Sequence, residues 1–139
     1  MSRGRAPTQS APDMKEFDAR VAKCSPATQT ILDFLRTAAA HAGPDVEPPP
    51  ADRKGVGITY RTGGRGFCRF DPKHEADHVW AWIPGADREM LSAAGIVSLR
   101  DDGPWVTVKS MRGAVRLVSE SVKSYDRVAS TVNGAGVVR

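Results

Sequence analysis

The chain is poor in cysteine. Only Cys24 and Cys68 occur among 139 residues, too few for a disulfide-stapled scaffold or an all-cysteine zinc site. Nowhere do about 18 apolar residues run together, so no membrane-spanning helix is expected. The first ten residues are charged and no apolar segment follows them, so no signal peptide is expected either. Signatures of catalysis are missing as well. There is no Gly-x-Ser-x-Gly elbow. The run Thr62-Gly63-Gly64-Arg65-Gly66 lacks the Gly-Lys-Ser/Thr ending of a phosphate loop and leads into a strand, which offers no helix dipole. What is left is 40% apolar and 26% charged residues with a formal charge of +4, enough for one small cytoplasmic domain. No cofactor is expected, and the balance leans away from an enzyme.

Residues 1–12 mix Arg, Pro, Ser and Gln without apolar periodicity and read as a disordered basic arm. A single domain is expected over 13–130, with 131–139 as a flexible tail. Asp13 is placed to cap a first helix with Met14, Phe17 and Val21 on one face. Ser25-Pro26 is a helix start, a capping hydroxyl followed by proline at the first helical position. Its apolar stripe runs through Ile31, Leu32, Leu35 and Ala39 to Gly43, read as a left-handed stop before Pro44. An extended proline-rich connector follows. Val56, Ile58 and Tyr60 alternate as a strand, Gly63-Gly64 makes a tight turn, and Phe67 to Phe70 returns with Cys68 and Phe70 on one face, Phe67 and Arg69 on the other. A third strand runs from His78 to Ile83, then a short helix from Arg88 to Ala94 and a hairpin of Ile96 to Leu99 with Trp105 to Val108. Ser110 caps a last helix whose stripe of Met111, Val115, Val118, Val122, Tyr125 and Ala129 is expected on the sheet. The order α-α-β-β-β-α-β-β-α, with connections too short for parallel crossovers, gives an α+β fold: a curved antiparallel sheet of about five strands covered on one face by helices.

The charge is segregated. From Arg53 to Lys73, Arg53, Lys54, Arg61, Arg65, Arg69 and Lys73 oppose Asp71 alone, a net of +5. Residues 74–103 carry a net of −4, and 109–127 a net of +3. A basic hairpin of this kind suits nucleic acid, DNA or RNA, through Lys54, Arg61, Arg65, Arg69 and Lys73, with Lys109 and Arg112 nearby if the final strand adjoins it. Phe67 would add base stacking. The same cations equally suit a solvated sheet face and a blunted edge strand.

Trp80, Trp82 and Trp105 lie on two strands, either as core or, with Tyr60 and His78, as the wall of a cleft for a small ligand. A module that meets an acidic protein partner is the third reading. Cys68, Asp71, His74, Glu75, Asp77 and His78 crowd together, but Pro72 and the strand that follows disfavour a helix that would bring His74 and His78 to one ion, so no metal site is assigned.

Ile31 to Glu47, Ile58-Thr59-Tyr60, Phe67-Cys68-Arg69-Phe70-Asp71-Pro72-Lys73 and Val106-Thr107-Val108-Lys109-Ser110 resemble a small bacterial domain of unknown function, found alone or fused to predicted transport proteins, and more distantly the YdhG-like domains. The resemblance covers about a hundred residues. It implies a compact α+β fold with a curved antiparallel sheet and no established catalytic residues. Some YdhG-like relatives are proposed as frataxin-like iron chaperones, which implies an acidic helix and sheet face; the basic hairpin departs from that pattern. A similar fold in double-wing proteins implies DNA binding, which the hairpin fits.

Overall fold

The computed structural model describes residues 6–49, 57–86, 89, 97–98 and 105–136. Two helices, α1 (Ala6–Ala22) and α2 (Pro26–Ala40), precede a sheet of β1 (Val46–Glu47), β2 (Ile58–Thr62), β3 (Arg65–Lys73), β4 (His78–Trp82), β5 (Val97–Ser98) and β6 (Trp105–Val108), and α3 (Met111–Gly136) closes the chain. Strand order is β1-β2-β3-β4-β6-β5 and every pairing is antiparallel. The α+β class and the order of elements hold. The additional strand, β1, is the two-residue start of the expected connector, where Val46 pairs with Thr62 and Glu47 with Arg61. Of the short helix expected between β4 and β5 only Glu89 is described, and it is helical.

The start of α2 follows its sequence signals. Ser25 is extended at φ −64° and ψ 158°, its hydroxyl accepts from the Thr28 N–H, and Pro26 occupies the first turn. A second cap comes from 52 residues away. The Asp77 carboxylate accepts the Ser25 N–H at 2.9 Å, and the Asp77 carbonyl accepts the Thr28 hydroxyl at 3.0 Å. The β3–β4 turn, in which Asp77 is left-handed at φ 54°, is thereby tied to α2. Between β2 and β3, Gly63 and Gly64 both have positive φ, the pair of conformations that a two-residue hairpin needs.

Several expectations are corrected at the ends of elements. Residues 6–12, expected unstructured, belong to α1, with Pro7 in the first turn where its missing N–H costs no helical bond. Residues 131–136, expected as tail, continue α3, because adding a residue to an existing helix is far easier than starting one. The α2 helix ends on His41, not on a left-handed Gly43. Gly43 is needed for another reason: a Cβ there would collide with the Tyr125 ring.

The core lies between the sheet and the helices. Phe17, Leu32 and Leu35 meet Ile58, Tyr60, Phe67, Phe70, Val79, Ala81, Val106 and Val108, with Ala114, Leu117 and Tyr125 from α3. Phe67 stands edge-on to Tyr125 with ring centres 5.3 Å apart. The stripe expected of α3 is rotated. Tyr125 is buried as expected and Val118 and Ala129 pack half-buried against the core, but Met111 and Val115 are exposed, and Ala114, Leu117, Ser121 and Ser124 are buried in their stead. Small residues at Ala114, Ser121 and Ser124 permit close approach, and the Ser124 hydroxyl donates to the Phe67 carbonyl at 2.6 Å. Among the described residues no helix is long and apolar enough to cross a membrane.

Candidate functional site

Phe67 is the first surprise of the site. Strict alternation would put it beside Arg69 on the outer face. The register shifts between Tyr60, which pairs with Cys68, and Arg61, which pairs with Gly66, leaving Phe67 as the extra residue. Such a bulge breaks the period of two. Phe67 turns into the core at 0% exposure and is lost as a stacking residue; Gly66 takes its place on the outer face.

On that face the strand registers assemble rows of side chains. Arg61 pairs with Gly66; Thr59, Arg69, Trp82 and Trp105 line up across four strands; Asp71, Trp80 and Thr107 form the next row; Lys73 and His78 the last. Cross-strand neighbours at this spacing are in direct contact. Gly66 leaves a gap in the first row, since a Cβ would come within 3.0 Å of the Thr59 methyl and 3.4 Å of the Trp82 ring. The result is an open hollow of about 310 Å³ lined by Thr59, Arg61, Gly66, Arg69, Trp82 and Trp105.

The cations of this face differ in state. Arg69 is a held cation: its Nε lies 2.7 Å and its Nη2 3.2 Å from the two oxygens of Asp71, which is buried. Its guanidinium also lies 5.8 Å from the centre of the Trp105 ring. A two-pronged bond to a buried carboxylate with an aromatic neighbour fixes both position and charge. The Lys73 ammonium sits 4.1 Å above the Trp80 ring. The Trp80 indole N–H donates to His78 Nε2 at 2.8 Å, so His78 carries its proton on Nδ1, which faces the Ala76 carbonyl at 3.1 Å. Burial, helped by Lys109 and Lys73, holds His78 below the usual histidine range, against the opposing pull of the Ala76 carbonyl and Asp77. The neutral ring is the form that the indole bond needs.

The expected basic patch is therefore not one patch. Arg61, Arg69 and Lys73 share the outer face, whereas Arg65, at the end of the hairpin, lines a separate cleft with Arg127. Lys54 lies outside the described residues. Lys109 and Arg112 are exposed, but β6 adjoins β4 and β5, so neither stands beside the hairpin. The expected Trp cleft is also redrawn. Trp82 and Trp105 line the hollow, Trp80 is one row away, and all three are half-buried rather than core. Tyr60 is buried on the helix side with its hydroxyl 3.4 Å from Arg36 Nε, and His78 is at the lysine end, so neither lines the hollow. Strand periodicity already pairs Asp71 with Arg69, two residues apart, and puts Thr59 on the face of Arg61; nothing local marks Gly66 as a lining residue, because the bulge decides it.

Among the described residues no three His, Cys, Asp or Glu side chains gather around a common point. Cys68 is buried on the helix side, where loss of solvent raises its thiol pKa strongly, and Asp71 and Asp77 are engaged by Arg69 and Ser25. Comparison with protein-family models, curated proteins and solved structures finds no match for the chain. The functional reading rests on geometry.

Proposed function

We propose that the outer face of the sheet binds single-stranded nucleic acid, taking one base into the hollow above Gly66. The observation that carries this reading is the meeting of indole walls and a guanidinium rim in one open hollow: Trp82 and Trp105 with Arg61. Every nucleobase has a flat face that stacks on an aromatic ring, and every nucleotide brings an anionic phosphate. Arg61 supplies the charge at the hollow, and Lys73 supplies more two rows along the same strand surface. Arg69, already neutralised by Asp71, acts as a rigid wall and not as a phosphate ligand. A hollow of about 310 Å³ also suits a small planar anion, the second reading, because that size is at the lower end of ligand pockets.

Quenching of tryptophan fluorescence by a short single-stranded oligonucleotide, with a mononucleotide in parallel, tests both. Two phosphate contacts imply that affinity falls roughly sevenfold between about 50 and 200 mM salt. Trp82→Ala should reduce the quenching, leaving only what Trp105 reports, and Arg61→Glu should weaken binding at low salt. Equal affinity for the mononucleotide and the oligonucleotide would favour the small-ligand reading. An unresponsive spectrum with both ligands overturns the assignment of this face.

A further inference from the structure

The hairpin tip carries a second basic feature that the outer face does not use. Arg65, just after the Gly63-Gly64 turn, and Arg127 on α3 line one cleft of about 200 Å³ with Pro84, Gly85, Val128 and Thr131. Among the described residues no carboxylate lines it and neither arginine forms an ion pair. Two described acids close in sequence to the lining residues do not line the cleft: Glu47 accepts the Gly64 N–H at 2.8 Å, and Asp126, next to Arg127, is exposed on α3.

Arg127 is held in place by the turn that it crosses. Its Nη2 donates to the Pro84 carbonyl at 2.9 Å. Gly85 is left-handed at φ 77°, and a Cβ there would come within 2.8 Å of Arg127 Nε. The turn thus leaves room for a guanidinium, while the rest of the Arg127 fork and all of Arg65 remain available. Two guanidinium groups sharing a cleft repel each other unless an anion lies between them, and a guanidinium fork matches phosphate oxygens in geometry and charge.

From this pairing we infer that the cleft between the hairpin tip and α3 is a binding site for a phosphate-bearing anion, held by Arg65 and Arg127. Thr131, on the same helix face, adds a hydroxyl whose proton is engaged with the Arg127 carbonyl at 2.9 Å, so the arginines supply the donors. The site is independent of the outer-face reading, since it shares none of its lining residues with the hollow at Trp82 and Trp105. Its ligand is either a small phosphorylated molecule or a phosphate of a nucleic-acid backbone.

Titration with inorganic pyrophosphate, and separately with a single-stranded oligonucleotide, followed by NMR of backbone amides and arginine Nε–H groups, tests it. The Arg127 Nε–H and the amides of Arg65 and Gly85 are expected to shift. Arg65→Gln, which removes no hydrogen bond of the fold, should weaken binding about tenfold, the scale of one charge-assisted contact. Arg127→Lys keeps the charge and loses the fork, and should weaken it too. Trp82→Ala should leave pyrophosphate binding unchanged, which separates this site from the outer face. Shifts with pyrophosphate identify a small anion as sufficient; shifts with the oligonucleotide alone identify the backbone phosphate. Absence of shifts with both, or shifts that persist undiminished in both arginine variants, overturns the site.

Discussion

The two faces of one sheet follow different rules. On the helix side, Ile58, Tyr60, Phe70, Val79, Ala81, Val106 and Val108 are almost fully removed from water, and their stability derives from apolar area and close packing. On the outer side, Thr59, Arg61, Arg69, Asp71, Lys73, Trp80, Trp82 and Trp105 form rows in which Arg69 is matched to a carboxylate and Lys73 to an indole, while Arg61 borders the hollow. The first face tolerates no gap. The second is built around one, at Gly66. A face whose polar groups are held rigid while a hollow stays open is suited to receiving a partner rather than to holding the fold.

The sharpest way to break this contrast is to truncate one aromatic from each side. Phe67→Ala should cost about 3–5 kcal/mol, the range for a buried phenylalanine, read from chemical denaturation, whereas Trp82→Ala should cost much less. Similar losses from the two would erase the distinction between the faces. Next in size is Arg69→Ala, which leaves Asp71 buried without its fork. Because Arg69 is itself 27% exposed, the loss should be about 2 kcal/mol, below the range for a fully buried pair; a loss under about 0.5 kcal/mol would show that the pair does not organise the outer face. Ser25→Ala removes the hydroxyl cap of α2 and should cost about 1 kcal/mol in a thermal or denaturant melt; the Asp77 cap, which remains, keeps the loss from being larger.

The smallest effect is a pH dependence at His78. Its folded-state pKa lies below the ordinary value, so the unfolded chain binds the proton more readily. Stability from this residue is fully present above about pH 6.5 and declines as the pH falls from there toward the folded pKa. The Trp80 indole N–H resonance should follow the same transition as its acceptor is protonated. His78→Gln should flatten that part of the stability profile, and an unchanged slope would locate the titration elsewhere.

Local chemistry was readable where it stands alone. Ser25-Pro26 announced α2 because a cap needs only the residues beside it, and Gly63-Gly64 announced the hairpin because positive φ at both positions is a property of glycine. The site was half legible. Arg61, Arg69 and Lys73 could be named as outer-face cations by alternation, but Arg65, one residue from a bulge, could not be assigned to its own cleft, and Phe67 was misplaced by the same bulge. The α3 stripe held at Tyr125 but misled at Met111 and Val115, which are exposed, because small and polar residues at Ala114, Ser121 and Ser124 share the buried face with Leu117.

Composition and periodicity settled the element types, the α+β class and the antiparallel order, since these depend on residue spacing and on loops too short to cross over. Which residues meet was decided in three dimensions. Asp77 reaches back to cap α2, Asp71 neutralises Arg69, and Arg127 comes to lie beside Arg65 from 62 positions away along the chain. These are contacts between elements, set by register, by one bulge and by helix rotation, and a linear pattern records none of the three.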